Sequence, residues 1–111
     1  MSKIGEMTLK GVSGKTYIFQ VYSRSTEFKA LGAVYVMSKR TQKSGESGGT
    51  HDFLYIGQTG DLSNRPLNHH KKSCFDRRGA DHVSVHIISD EKQRLNTETD
   101  LIRAYSLPCN G

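Results

Sequence analysis

Two short apolar runs decide the fold, residues 32–37 (GAVYVM) and residues 53–57 (FLYIG). Both have the length of a strand and are rich in aliphatic and aromatic residues, which favours extended chain. The stretch between them, residues 38–52, is rich in Lys, Ser, Gly and Thr, as is typical of a loop. The two runs therefore predict a β-hairpin joined by a long loop.

Period-2 alternation within the two runs separates tyrosines from aliphatic residues. Tyr35 and Tyr55 should share one face of the sheet and converge there. A phenol in that position can orient a water. If a neighbouring cation lowers the pKa of the phenol, it can also accept the proton of that water. The alternative is a pair of strand tyrosines with buried rings and wet hydroxyls. The residues predicted to face the core together are Val34, Val36, Leu54 and Ile56.

The flanking sequence completes an α+β pattern, a small antiparallel β-sheet flanked by helices. Residues 7–22 predict an N-terminal β-hairpin, with a turn at residues 12–15 (VSGK). A short turn over residues 61–64 and a helix from Arg65 to about Lys72 should follow the second run. Residues 81–89 predict a strand, and Asp90 can cap a helix that runs through Tyr105 before Pro108. The order is ββ-ββ-α-β-α within a single domain, residues 1–111.

The composition narrows the class of protein. Only 34% of the residues are hydrophobic, so the core should be thin, and the formal charge of +5 favours a polyanionic partner. No apolar run is long enough to span a bilayer and no leader is evident, so we expect a cytoplasmic protein without membrane contact. Cys74 and Cys109 form no CxxC pair, and we expect two reduced thiols.

Glu98 lies on the predicted last helix, beside an apolar stripe of Leu95, Ile102 and Tyr105, with Leu101 next to it. A carboxylate facing the protein is costly unless it pairs with a cation or binds a metal. As an oxygen ligand it suits Mg²⁺, which needs few protein groups. The alternative is a carboxylate that reaches Lys or Arg at the edge of the stripe.

Basic residues near the first helix could contact phosphates. Arg65 and His69 are four residues apart and should share a helix face, where a guanidinium and an imidazole could contact one phosphate. Other basic residues could follow a phosphate backbone, although a solvated basic face is an equal alternative. These candidate nucleic-acid contacts are Lys39, Arg40, Lys43, His70, Lys71, Lys72, Arg77 and Arg78.

Taken in order, these residues resemble the GIY-YIG nuclease superfamily. Its paired motifs appear as Ala33-Val34-Tyr35 and Tyr55-Ile56-Gly57, followed by Arg65 and by His69 one helical turn later. The "E…LI" setting of the family's metal-binding glutamate matches residues 98–102 (ETDLI), and its terminal "P…N" matches residues 108–110 (PCN). The resemblance implies a three-stranded antiparallel core over residues 32–110, with residues 1–31 as an N-terminal hairpin extension.

The resemblance also implies a function, hydrolysis of one DNA strand per site by a Mg²⁺-dependent endonuclease, with Mn²⁺ as a substitute. Glu98 would hold the metal and Tyr35 would act as general base, while Tyr55 positions water or phosphate. Arg65 would stabilise charge, His69 would contact the phosphate or help Tyr35 lose its proton, and Asn110 would brace the site. DNA is the expected partner and RNA an alternative. Sequence preference should be weak, and the oligomeric state stays open.

Three features depart from the family pattern: Ala33 replaces a glycine, the loop between the motifs is long, and Pro66 follows Arg65. None removes a group that the chemistry needs. A nucleic-acid-binding module that has stopped cutting is the alternative function. A metal-binding module using Cys74, Cys109 and the histidines is a third, although their spacing fits no standard zinc site.

Overall fold

The computed structural model describes residues 3–41, 50–64 and 71–110. Within them, five strands form one antiparallel sheet in the order β1-β2-β5-β3-β4, with two α-helices, which confirms the α+β prediction. The elements are β1 (Gly5–Lys10), β2 (Thr16–Ser23), β3 (Ala33–Thr41), β4 (Thr50–Thr59), a 3₁₀ turn (Leu62–Asn64), α1 (Lys72–Arg78), β5 (His82–Ile87) and α2 (Glu91–Ile102).

The predicted hairpin β3–β4 forms, and β5 pairs with the other side of β3. The predicted loop over residues 38–52 is too long, because β3 continues to Thr41 and β4 begins at Thr50. Tyr35 lies in the middle of this arrangement, opposite Gly57 on β4 and Val85 on β5. The N-terminal hairpin β1–β2 extends the sheet through pairing of β2 with β5. Its turn contains Gly14 with a φ of 93°, a left-handed conformation that glycine adopts without a steric penalty.

The two faces of the sheet carry different cores. One face, which we call the α2 face, packs under the last helix. The other, the tyrosine face, carries Tyr35 with Tyr55 packed beside it and is covered in part by Phe75 of α1. The buried residues of the α2 face are Leu9, Phe19, Val34, Val36, Ile56 and Leu101. Those of the tyrosine face include Met37, Leu54, Val83 and Val85.

The prediction that Leu54 joins Ile56 on one face is wrong. The register of β3 and β4 shifts between Met37, which faces Tyr55, and Ser38, which faces Phe53. Leu54 is the extra residue of a β-bulge, so it joins the tyrosine face while Phe53 packs on the α2 face. Two consecutive residues, Leu54 and Tyr55, therefore contribute to the same core, which strict alternation cannot predict.

The predicted turn over residues 61–64 is present as the 3₁₀ turn Leu62–Asn64. Most of the predicted first helix, residues 65–70, including Pro66, lies outside the described residues. A helix that the sequence analysis did not predict, α1, begins at Lys72 and ends at Arg78, and it is followed by Gly79 with a φ of 76°. It buries Phe75 against the tyrosine face.

Asp90 caps α2 as predicted, since its side chain accepts a hydrogen bond from the backbone N–H of Gln93. Of the predicted apolar stripe, Ile102 and Tyr105 pack against the core of the α2 face, but Leu95 is 43% exposed, and Leu101 is the fully buried leucine. The buried positions are Arg94, Thr97 and Leu101. A stripe assigned by hydrophobicity fails here because an arginine occupies a buried position and finds carbonyl partners there. The helix also ends at Ile102, three residues before Tyr105.

The expectation of two reduced thiols is wrong as well. Cys74 of α1 and Cys109 of the C-terminal segment form a disulfide with Cα atoms 5.9 Å apart. The two cysteines are 35 residues apart in the chain and meet because α1 and residues 108–110 cover neighbouring parts of the sheet. No helix in the described ranges has the length and apolarity needed to cross a bilayer.

Candidate active site

The tyrosine face brings the two predicted phenols together. Tyr35 and Tyr55 lie with ring centroids 6.0 Å apart, and Phe75 packs against Tyr55 at 5.5 Å between centroids. Tyr35 is only 1% exposed, whereas Tyr55 is partly exposed. The convergence predicted from alternation is therefore present, and Tyr55 is the phenol of the pair that solvent reaches more readily.

Gly57 makes this convergence sterically feasible. A Cβ on Gly57 would lie 2.6 Å from Cε2 of Tyr55 and 2.9 Å from the hydroxyl oxygen of Tyr35. Both distances are shorter than van der Waals contact. The hydroxyl of Tyr35 thus lies directly above the backbone of β4, and any side chain at residue 57 would displace one of the rings.

Glu98 reaches the same part of β4 from α2. The backbone N–H of Gln58, the residue that follows Gly57, lies close enough to the Glu98 carboxyl to influence its pKa. Burial raises the pKa of Glu98, and the Gln58 N–H acts in the opposite direction. In the described part of the chain, no Lys or Arg nitrogen lies within 4.0 Å of this carboxylate. Among the described residues, Glu98 is therefore not paired with a surface cation.

Asn110 contacts β4 rather than the phenols. Its side chain accepts from the N–H of Ile56 and donates to the carbonyl of Ile56, both at 2.9 Å, as a further strand would. The N–H of Cys109 donates to the carbonyl of Leu54. Because β4 is an edge strand of the described sheet, the C-terminal segment covers part of its outer polar groups.

The remaining predicted site residues, Arg65 and His69, lie outside the described residues, as do the nucleic-acid candidates Lys43 and His70. Four of the six predicted site residues are therefore placed. Tyr35 and Tyr55 meet above Gly57 on the tyrosine face, and Asn110 bonds to the preceding residue, Ile56. Glu98 belongs to α2, which packs on the opposite face, and its carboxyl lies near the backbone N–H of Gln58.

A hard divalent cation suits the donor that Glu98 offers. The carboxylate of Glu98 is partly buried, and its oxygens have acceptor capacity for an ion. The described residues contain no cluster of three or more His, Cys, Asp or Glu side chains able to hold a metal. A site built on one carboxylate fits Mg²⁺, which keeps several of its waters, and does not fit zinc.

The structure brings together three of the predicted phosphate contacts. Lys39 of β3 and Arg77 and Arg78 of α1 line one open cleft of about 600 Å³. Lys72 is instead paired with Asp76 at 2.8 Å, and Arg40 lines a different cavity, beside His51. The other residues of the cleft are Asp52, Phe53, Leu54 and Pro108.

The sequence analysis missed Gln58 and Arg94. Arg94 is 7% exposed, and its Nε donates to the side-chain carbonyl of Gln58 at 3.1 Å. Its Nη1 donates to the backbone carbonyls of Ile88 and Ser89. The signal available in the sequence was the four-residue spacing of Arg94 and Glu98, which places both on one face of a helix.

Comparison of the chain with family models, with curated proteins and with solved structures yields no match.

Proposed function

We propose that this chain is a divalent-metal-dependent endonuclease of the GIY-YIG type that hydrolyses DNA phosphodiester bonds, one strand per site. One observation carries the proposal. Gln58, whose backbone N–H lies close enough to Glu98 to influence the pKa of its carboxyl, directly follows the glycine over which Tyr35 and Tyr55 converge. The phenols lie on the tyrosine face and Glu98 comes from α2 on the opposite face, so strand β4 at residues 57 and 58 is what they have in common.

The topology supports the same proposal. A hairpin of β3 and β4, a third strand β5 beside β3, and helices on both faces are what a three-stranded GIY-YIG core requires. The hairpin β1–β2 would then be an extension on the far side of β5. The arrangement is compatible with the family and gives the two motifs neighbouring places on β3 and β4.

In this proposal, Glu98 would hold Mg²⁺, or Mn²⁺ in its place. The bound ion would supply a Lewis acid that offsets charge on the phosphate. The side chains of this protein have their own parts. Tyr55, the more exposed phenol, would position the attacking water. The buried Tyr35 would accept the proton of that water.

The remaining roles rest on the resemblance. Arg65 would donate to the phosphate oxygens as charge develops, and His69 would donate a hydrogen bond to the phosphate. Asn110 would keep β4 in place from its outer edge, where its two hydrogen bonds hold Ile56. Arg65 and Asn110 would act by binding or orientation, whereas His69 would also take the hydroxyl proton of Tyr35, so that Tyr35 is a phenolate when it accepts the proton of the attacking water.

The basic cleft supports a nucleic-acid substrate. Lys39 lies four residues beyond Tyr35 on β3, about 13 Å away at the usual rise per residue. A phosphate backbone that reaches the phenols could therefore continue past Lys39, Arg77 and Arg78. DNA is the partner we propose and RNA is the alternative. Among the described residues, the cleft contains no helix or strand that resembles a base-reading element. Binding should therefore depend on salt concentration more than on DNA sequence.

The test is nicking of supercoiled plasmid with Mg²⁺ or Mn²⁺. Glu98→Gln keeps the size of the side chain and should lower the nicking rate about a hundredfold or more, as loss of one charge-stabilising group does in other enzymes. Glu91→Gln, on the exposed first turn of the same helix, is the matched control and should nick like the wild type. Equal rates for the two variants, both folded, would refute the proposal.

A second candidate function is a nucleic-acid-binding module that does not cut. The burial of Tyr35 favours it, because a general base must meet the water that it deprotonates. This candidate predicts salt-dependent DNA binding without nicking by any divalent ion. A triple variant, Lys39→Gln, Arg77→Gln and Arg78→Gln, should then flatten the dependence of binding on salt by up to about 0.9 per lost phosphate contact.

A further inference from the structure

One disulfide joins the two segments that border the basic cleft. Arg77 and Arg78 belong to the last turn of α1 and line the cleft from one side. Pro108 lines it from the C-terminal segment. Cys74 of α1 is bonded to Cys109, the residue that follows Pro108. The covalent bond therefore fixes the helix that carries two of the basic side chains relative to the C-terminal wall of the cleft.

Helix α1 needs such a bond more than α2 does. It is only seven residues long, and no side chain caps its N-terminus, so it has little stability of its own. The buried ring of Phe75 holds it on the tyrosine face, and Arg24 pairs with Asp76 at 2.7 Å. These contacts anchor the middle of the helix to the sheet. Loss of the disulfide should therefore loosen the last turn of α1 while Phe75 stays in the core.

The third cation of the cleft belongs to the sheet. Lys39 lies on β3, and a Cβ on Gly79, directly after α1, would lie 3.8 Å from its Nζ. The end of α1 thus borders this ammonium group. Within the described ranges, no carboxylate oxygen lies within 4.0 Å of Lys39, Arg77 or Arg78, all of which are exposed, although Asp52 also lines the cleft. The three cations can therefore take phosphates, and α1 carries two of them.

We infer that the disulfide between Cys74 and Cys109 makes the basic cleft a redox-dependent nucleic-acid interface. The oxidised chain holds Arg77 and Arg78 in place for a phosphate backbone, and the reduced chain does not. Fixed side chains bind without first losing conformational freedom, whereas a loosened helix must be ordered again at each binding event. The inference rests on the proposed nucleic-acid substrate and adds control by the thiol redox state to it.

The redox step needs a dithiol as co-reactant, for which dithiothreitol is the laboratory probe. A thiolate of the dithiol attacks Sγ of Cys74, which is partly exposed, whereas Cys109 is 1% exposed. The S–S bond breaks, and its electron pair goes to Sγ of Cys109, which takes up a proton. The second thiol of the dithiol then displaces Cys74 from the mixed disulfide, and Cys74 takes up a proton as well. The products are two protein thiols and one oxidised dithiol.

The experiment measures binding of a fluorescein-labelled DNA duplex by fluorescence anisotropy at several NaCl concentrations, in EDTA so that no cleavage occurs. The oxidised wild type should bind more tightly than the wild type in dithiothreitol. Reduction should also flatten the slope of log K against log salt concentration by up to about 1.8, since each lost phosphate contact removes about 0.9. The double variant Cys74→Ser, Cys109→Ser should behave like the reduced wild type with or without dithiothreitol.

Three further variants locate the effect in the cleft. The double variant Arg77→Gln, Arg78→Gln should match the reduced wild type while oxidised, and dithiothreitol should then change nothing more. Lys39→Gln should flatten the slope by about 0.9 in both redox states and keep the response to dithiothreitol. Lys15→Gln, an exposed lysine that lines a different cavity, is the matched control and should behave like the wild type. A full response to dithiothreitol in Arg77→Gln, Arg78→Gln would overturn the inference.

Circular dichroism first establishes that the reduced chain is folded. If it is not, all titrations are repeated in sucrose, which favours the compact state. A reduced chain that stays unfolded in sucrose would overturn the inference, because reduction would then act on the whole fold and not on the cleft.

The outcomes distinguish this inference from the proposed function. Redox-dependent DNA binding without nicking by any divalent ion would refute the nuclease proposal and leave the inference standing. Equal salt slopes for the folded oxidised and reduced wild type would overturn the inference while nicking could persist. Absence of DNA binding in both redox states would overturn both.

Discussion

The two faces of the β3–β4 hairpin differ in what they bury. The buried residues of the α2 face are aliphatic apart from Phe19, and Phe53 packs against them. The tyrosine face holds the buried Tyr35, the partly exposed Tyr55, a disulfide and the aromatic ring of Phe75, and it opens at one end into a basic cleft. One face of this thin sheet therefore stabilises the protein, while the other face holds polar groups in fixed positions.

Leu9 tests the stabilising side. It is fully buried on the α2 face and belongs to the N-terminal hairpin, away from the phenols. Leu9→Ala should lower the free energy of unfolding by about 2–5 kcal/mol, through lost transfer energy and the cavity left behind. Leu95→Ala, at an exposed position of α2, is the control and should change it by about 0.5 kcal/mol or less. Urea titration measures both, and equal effects would contradict the assignment of the core.

The disulfide tests what holds the tyrosine face together. Replacing Cys74 and Cys109 by Ser opens a loop of 35 residues. In the chain-entropy account this should lower the free energy of unfolding by about 3–4 kcal/mol. Thermal or urea unfolding of the wild type with dithiothreitol should show the same loss, and the double variant should not respond to the reductant. A wild type that is indifferent to dithiothreitol would contradict the disulfide.

Gly57 tests whether the phenols need their present positions. Gly57→Ala would place a methyl group against both rings and should cost about 1–3 kcal/mol of stability, as overpacking does. If the proposed function holds, nicking by the folded fraction should fall as well, because the rings must move. Gly5→Ala is the strand control, since a Cβ there meets nothing within 4 Å. Unchanged nicking in folded Gly57→Ala would separate the phenols from the chemistry.

His51 gives the smallest expected effect, at the end of the sheet remote from Gly57. Burial, followed by His82 and Arg40, lowers the pKa of His51, and Nδ1 lies 2.9 Å from the hydroxyl of Ser38. A base with a lowered folded pKa contributes stability above its unfolded pKa of about 6.5, and this stability is lost as the pH falls through the folded pKa. His51→Gln should therefore flatten the decline of unfolding free energy below about pH 6.5. An unaltered pH profile in urea titrations would contradict this.

Local patterns predicted much of the sheet. Alternation in β3 placed Tyr35 opposite Val34 and Val36, because side chains of consecutive strand residues leave opposite faces. The turn at Gly14 and the cap at Asp90 were also predictable, since each depends on a few neighbouring residues. The same reasoning failed at Leu54, where pairing with β3 inserts a bulge that the sequence of β4 does not announce.

The sequence analysis identified several residues of the candidate site but did not predict the contacts that surround them. Tyr35, Tyr55, Glu98 and Asn110 were chosen from the resemblance and from their unusual positions. Gln58 and the Arg94 that donates to it were overlooked because neither is unusual in sequence. A charged residue such as Arg94 is expected to face solvent. It is buried here because its carbonyl partners come from another strand and from a loop.

By itself the sequence determined the properties that depend on neighbours along the chain: where the middle of each strand lies, which face most of its residues take, and where a helix is capped. Only the tertiary structure decided which separate segments meet. The disulfide between Cys74 and Cys109, the hydrogen bonds between Asn110 and Ile56 and the hydrogen bond from Arg94 to Gln58 join residues that are 35 or more positions apart. Such contacts form because packing of the whole chain brings their partners together, and no local propensity encodes that outcome.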